Sequence, residues 1–202
     1  MAPSELAEAA FTVIDVETTG FSPVYDRVVE VACLRLERGA VVERFASLVD
    51  PRRPIPRVVS AIHGIRARHV RGAPLLEEIR PRIEAMVAGA IVVAHNARFD
   101  IGFLPFVASR PVLCTMRLAQ RLVDAPNYRN RTLPRVLGLA IGPEGRHEHR
   151  AAADAYVTAT VLHELLRRYA RGPYPQTIAA LLAIARRAVP LARYGMTRPV
   201  GY

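Results

Sequence analysis

Residues 11–17, Phe-Thr-Val-Ile-Asp-Val-Glu, are an apolar run rich in β-branched side chains and predict a strand closed by Thr18-Thr19-Gly20. Two more strands are predicted at about 27–36 and 40–49, joined at Arg38-Gly39 in a hairpin-like turn. Pro51, Pro54 and Pro56 make 51–57 a loop. Leu76, Ile79, Ile83 and Val87 recur at helical spacing, predicting a helix near 75–88. A short buried strand follows at 90–94, then a helix after Asn96 that ends before Pro111. Further helices are expected near 115–123, 132–138 and 150–170. Beyond Gly172-Pro173, Ile178, Leu181, Leu182 and Ala185 mark one face of a helix from Gln176 to Arg187. Strands first, then strands alternating with helices, predict a mixed α/β layer rather than a bundle or sandwich. The expected division is one domain over 8–172 and a helical tail over 173–202, with the tail helix packing on its own domain rather than docking a partner.

Composition narrows this picture. A chain of 202 residues, 51% hydrophobic, fits one globular domain with a sizeable core. Its N-terminus carries acids and lacks the basic start of a signal peptide, and the apolar stretch Ala88 to Ala94 is far too short to cross a bilayer. Cys33 and Cys114 lie far apart, so free thiols and a reducing, cytoplasmic setting without a membrane are the expectation. The net charge is +10, and every basic residue is Arg. GC-rich codon usage accounts for Arg in place of Lys; the excess of positive charge would still attract a polyanion.

The acidic residues carry the chemistry. Asp15 and Glu17, two apart in a strand, face the same side roughly 6.5–7 Å apart. Such a pair repels and loses hydration unless a cation sits between them or that face is open to solvent. A second group is His95-Asn96-Ala97-Arg98-Phe99-Asp100. Asn96 as an N-cap and Asp100 in a first helical turn have structural explanations as well as functional ones. A third group is His149-Arg150-Ala151-Ala152-Ala153-Asp154. His149 and Asp154 converge only if His149 lies just before the helix, on the loop that begins Gly142-Pro143-Glu144-Gly145.

The segments Asp15-Val16-Glu17-Thr18-Thr19-Gly20, His95-Asn96-x-x-Phe99-Asp100 and His149-x-x-x-x-Asp154 resemble, in order, the three motifs of the DEDDh 3′-to-5′ exonucleases. That family includes the proofreading epsilon subunit of bacterial replicative polymerase, oligoribonuclease and RNase T. The likeness runs from about residue 10 to 170, with further similarity at Ile62-His63-Gly64-Ile65 and Cys114-Thr115-x-x-Leu118-Ala119.

The resemblance implies an RNase H-like fold, a five-stranded mixed sheet with its second strand antiparallel, flanked by helices. It implies two Mg²⁺ ions, replaceable by Mn²⁺, held by Asp15, Glu17 and Asp154, with Asp100 acting through water. Carboxylate oxygens suit those hard ions, and the chain has no zinc-like cluster of Cys and His. His149 is then the general base, since an imidazole exchanges protons near neutral pH. His147 is a rival whose spacing to Asp154 departs from the family. Thr18, Thr19, His63 and Asn96 are candidates for holding the strand end, whereas Phe99 is expected to be core. The expected substrate is a single-stranded or frayed 3′ end of DNA, with nucleoside monophosphates as product. An RNA-trimming activity and a non-catalytic nucleic-acid-binding module are the alternatives. A DNA polymerase is a candidate partner, although Gln176-Thr177-Ile178-Ala179 departs from the clamp-binding segment of the proofreading subunit.

Overall fold

In the computed structural model, residues 5–145 and 149–186 are described. A short helix α1 (Glu5–Glu8) precedes β1 (Phe11–Thr18), β2 (Val28–Glu37) and β3 (Ala40–Leu48). Two small helices, α2 (Arg57–His63) and α3 (Ala67–Val70), lead to α4 (Leu76–Val87), β4 (Ile91–Ala94), α5 (Ala97–Phe103) and β5 (Val112–Cys114). Then come α6 (Thr115–Leu122), α7 (Leu133–Val136), the long α8 (Ala151–Arg171) and α9 (Ile178–Arg186). The five strands lie in the order β3-β2-β1-β4-β5. β1 pairs antiparallel with β2 and parallel with β4, and β5 is parallel to β4. This is the RNase H-like α/β sheet with its second strand reversed.

The β2–β3 hairpin turns at Arg38 and Gly39, both at positive φ, as the tight turn requires. The Pro-rich loop gives way sooner than expected, because Pro56 sits at the N-cap of α2, where its missing N–H costs nothing. Neither α2 nor α3 is legible as a periodic apolar pattern. Both are anchored instead by a small cluster in which Ile65 and Val70 meet Val29 of β2.

β1 is covered on both faces. Phe11 and Val13 join a core formed with α6, α8 and α9, while Ile14 and Val16 join a second core with α4 and α5. Asp15 and Glu17 continue the Phe11–Val13 face, so they point towards α8. Solvent exposure of that face does not explain the two carboxylates. The register of β1 against β2 shifts between Glu17 and Thr18, ending the regular strand just past the second carboxylate. Leu181, Leu182 and Ala185 of α9 are buried in the α8-side core. No helix among the described residues is long and apolar enough to cross a membrane. Cys33 and Cys114 are free thiols, Cys33 buried and Cys114 partly exposed.

Candidate active site

Three carboxylates converge where β1 meets the start of α8. One oxygen from each of Asp15, Glu17 and Asp154 lies within 4.8 Å of the others. The Ala-rich opening of α8 lets this happen: Ala151, Ala153 and Ala155 are buried, so the helix end comes close to the sheet. Asp100 completes the group from α5. β1 and β4 pair only as far as Val13 and Val93. Beyond that point the Asp100 carboxyl lies beside the Val16 backbone, which lowers its pKa against the larger effect of burial.

Burial acts on all four, and repulsion between carboxylates adds to it at Asp15 and Glu17. Burial raises Asp15 well above the usual carboxylate range, reinforced by Asp100, Asp154 and Glu17. Burial, then Asp154 and Glu30, raise Glu17 to about 8. Asp100 is raised to about 7, chiefly by burial. Asp154 is also raised, because burial outweighs the opposing pull of Arg131. Such a group is unfavourable without positive charge. A hard divalent cation fits it, since the converging donors are all carboxylate oxygens.

Other residues fix this geometry. Glu30 lies directly across from Glu17 on β2, a like-charge pairing that would be unfavourable alone. Arg150 offsets it, donating to Glu30 from Nε (3.0 Å) and Nη2 (2.6 Å). Glu30 also accepts the Ala151 N–H (2.9 Å), so one buried carboxylate caps α8 and holds Arg150. Arg131 donates from Nη2 to Asp154 Oδ1 (2.6 Å) and from Nη1 to the Gly145 carbonyl. Asn130 donates to the Asp154 carbonyl (3.1 Å) and accepts from the Thr158 hydroxyl (3.2 Å).

His95 faces the Tyr128 carbonyl with Nε2 (2.7 Å), so that nitrogen carries the proton, and Nδ1 accepts from the Thr115 hydroxyl (3.0 Å). Burial depresses its pKa to about 4. His95 therefore acts as a neutral strut pinning the 125–131 segment over the site.

These groups line a cavity of about 1090 Å³ containing Asp15, Glu17, Asn96, Asp100, His149 and Asp154. His149 sits one residue before the α8 N-cap, at φ +53°, which is uncommon for a residue with a side chain. His147 lies outside the described residues. Asn96 occupies the N-cap position of α5 but makes no capping side-chain bond. It is exposed in the cavity, so the capping explanation does not hold. Phe99 packs on Phe103 at 5.0 Å yet also lines the cavity, so it is not purely core.

Thr18, Thr19 and His63 are placed differently from the other candidates: all three are buried and outside the cavity lining. The Thr18 hydroxyl donates to the Gly20 carbonyl (2.5 Å). The Thr19 hydroxyl donates to Asp26 (3.2 Å) and accepts the Arg27 N–H (3.0 Å). His63 accepts the Ile65 N–H at Nδ1 (3.0 Å), which leaves its proton on Nε2, facing the Thr18 carbonyl (3.3 Å). Their side-chain polar groups are engaged in shaping the end of β1. Glu30, Arg150 and Arg131 are absent from the motif reading. Glu30 had a signal of its own, a lone acid within Val28-Val29-Glu30-Val31-Ala32.

The sequence profile of the exonuclease family designated RNase T matches residues 12–162. The chain belongs to this exonuclease family. It is 37% identical, over 81% of its length, to a putative bifunctional exonuclease/endonuclease protein of Mycobacterium tuberculosis. It is 33% identical, over 80% of its length, to a PolC-type DNA polymerase III of Caldanaerobacter subterraneus. The chain spans 27% and 12% of those two proteins, about a quarter of their length or less. Among solved structures, exonuclease X in complex with 5′-overhanging duplex DNA superposes with a TM-score of 0.72 at 31% identity, covering 87% of this chain and 99% of that one. Exonuclease I of E. coli in complex with a dT13 oligonucleotide shares the fold, with a TM-score of 0.69 at 20% identity over 81% of this chain and 42% of that one.

Proposed function

We propose that this exonuclease-family chain hydrolyses phosphodiester bonds from the 3′ end of a DNA strand, releasing nucleoside monophosphates, with Mg²⁺ or Mn²⁺ as cofactor. The observation that carries the reading is the convergence of Asp15, Glu17 and Asp154 within 4.8 Å, in a cavity that Asp100 and His149 also line. DNA is favoured over RNA by the similarity to exonuclease X, whose structure contains duplex DNA, and to PolC-type polymerases.

Asp15, Glu17 and Asp154 would hold two divalent ions, which supply Lewis acidity and orient the reacting oxygens. Asp100, from α5, would add a fourth carboxylate to the set that holds them. His149, on its loop before α8, takes the proton of the attacking water. Arg131 and Glu30 keep Asp154 and the α8 terminus in register with β1. Asn96 and Phe99, on the cavity wall, meet the terminal nucleotide. The nuclease domain is proposed to span 8–172.

The test is cleavage of 5′-labelled and 3′-labelled single strands of DNA and RNA, with a circular single strand as control. The expected pattern is loss of single nucleotides from the 3′ end of linear DNA, abolished by EDTA and restored by Mg²⁺. Cuts in the circle, or full activity in excess chelator, would overturn it.

A further inference from the structure

Residues 51–76 contain six arginines, Arg52, Arg53, Arg57, Arg66, Arg68 and Arg71, and no acidic residue. All six are exposed. Some arginines elsewhere on the surface pair with carboxylates, as in Arg80–Glu84, Arg82–Glu43 and Arg168–Glu164; within this stretch Arg52 alone does so, with Asp50 just outside it. Among the described residues, Arg57, Arg66, Arg68 and Arg71 are in no ion pair. Arg57 even opens α2, where the helix dipole disfavours a cation. The same helix exposes Val58 (71%) and Ile62 (44%), four residues apart and therefore on one face.

The position of this unit relative to the acidic centre is fixed. His63, the last residue of α2, bonds to the carbonyl of Thr18 at the end of the strand that carries Asp15 and Glu17. Ile65 and Val70 pack on Val29, next to Glu30. Arg57 then lies about 9 Å up the helix from His63, at 1.5 Å per residue. A basic, partly apolar surface thus runs outward from the edge of an acidic cavity.

We propose that α2 and α3 form a track for the unpaired strand on the 5′ side of the nucleotide being removed. Arg57, Arg66 and Arg68 meet successive phosphates, and Val58 and Ile62 support unstacked bases. This rests on the exonuclease reading and adds a second binding surface to it. The acidic centre attracts cations and repels a polyanion, so strand affinity has to come from elsewhere, and the charge of this track is complementary to it.

The experiment compares wild type with the triple variant Arg57→Glu, Arg66→Glu, Arg68→Glu on 4-nucleotide and 20-nucleotide oligodeoxythymidylates, with thermal unfolding confirming an intact fold. For the 20-mer, KM should rise about tenfold or more while kcat holds, and the slope of log(kcat/KM) against log[salt] should flatten by about 2, near 0.7 for each lost contact. The 4-mer, with only two phosphates on the 5′ side of the scissile one, should lose distinctly less than the 20-mer. An equal loss on both lengths, or no loss on either, overturns the track. If wild type hydrolyses no strand, the exonuclease reading has failed. Fluorescence anisotropy with the uncleaved 20-mer then decides the track, supporting it if the variant binds at least tenfold more weakly and overturning it if both proteins bind alike.

Discussion

Arg150 and Glu30, 120 residues apart in sequence, form a two-nitrogen ion pair whose carboxylate also caps α8 through the Ala151 N–H. The pair joins β2 to the helix that carries Asp154 and adjoins His149. Glu30→Gln keeps the shape but gives up the charge, and Glu30→Ala also leaves the α8 terminus uncapped. The expected cost to stability is about 1–3 kcal/mol for Ala and less for Gln, with kcat falling alongside. Urea denaturation and steady-state kinetics on both variants check this. Unchanged stability in Glu30→Ala would mean that Arg150 and the helix end are held by other groups.

The raised carboxylates give a pH signature with a definite sign. Glu17 is raised from 4.5 to about 8 and Asp100 from 3.8 to about 7. Between those limits the folded chain keeps protons that the unfolded chain has released, so their contribution to stability is present at low pH and is lost as pH rises through 5 to 8. A divalent cation offsets the repulsion most where the carboxylates are charged. The rise in Tm on adding Mg²⁺ should therefore be larger at pH 8 than at pH 5, and Asp15→Asn should shrink it at both. A Tm gain independent of pH would separate the ion from these groups.

For His149, the proposed proton acceptor, replacement by Ala should lower kcat by about 10²–10⁴-fold, with little change in KM or in Mn²⁺ affinity measured by calorimetry. Because the residue sits at φ +53°, His149→Gly keeps the backbone at ease and should be equally inactive. Recovery of activity in the Gly variant would show that the loop conformation mattered and the imidazole did not.

Arg131 donates from one nitrogen to Asp154 and from another to the Gly145 carbonyl, tying that aspartate to the segment that ends at Gly145. Lys keeps the charge but lacks the planar fork that reaches two acceptors at once. Arg131→Lys should lower kcat by about 10-fold or more while KM for the strand stays within a few-fold, since loosening a supporting partner typically costs 10–100-fold. A rise in KM at constant kcat would instead place Arg131 on the substrate.

The elements with strong periodicity were legible from sequence to within a residue or two. β1 was expected at 11–17 and spans Phe11–Thr18; the helix expected at 75–88 spans Leu76–Val87. The small helices α2 and α3 were not, because a basic stretch flanked by prolines offers no apolar period, and tertiary contacts with Val29 of β2 and the Thr18 carbonyl of β1 hold it. The acidic residues stood out because charge inside an apolar strand needs a reason. Glu30 sent the same signal, but its partner lies 120 residues away and only folding supplies it. Thr18, Thr19 and His63 show the converse: polar residues beside a motif whose side chains shape the turn that ends it.

The register shift between Glu17 and Thr18 divides β1 into two regimes of tolerance. Upstream of it the strand is phased with a period of two. A single-residue deletion between Phe11 and Asp15 would swing both carboxylates away from α8 and into the apolar packing of α4 and α5. Downstream, strand phase no longer sets which way the carboxylates face, and the turn is held instead by the bonds of Thr18, Thr19 and His63. A change in length thus re-aims the carboxylates on one side of a single peptide bond and disturbs only the turn on the other, and that boundary falls immediately after Glu17.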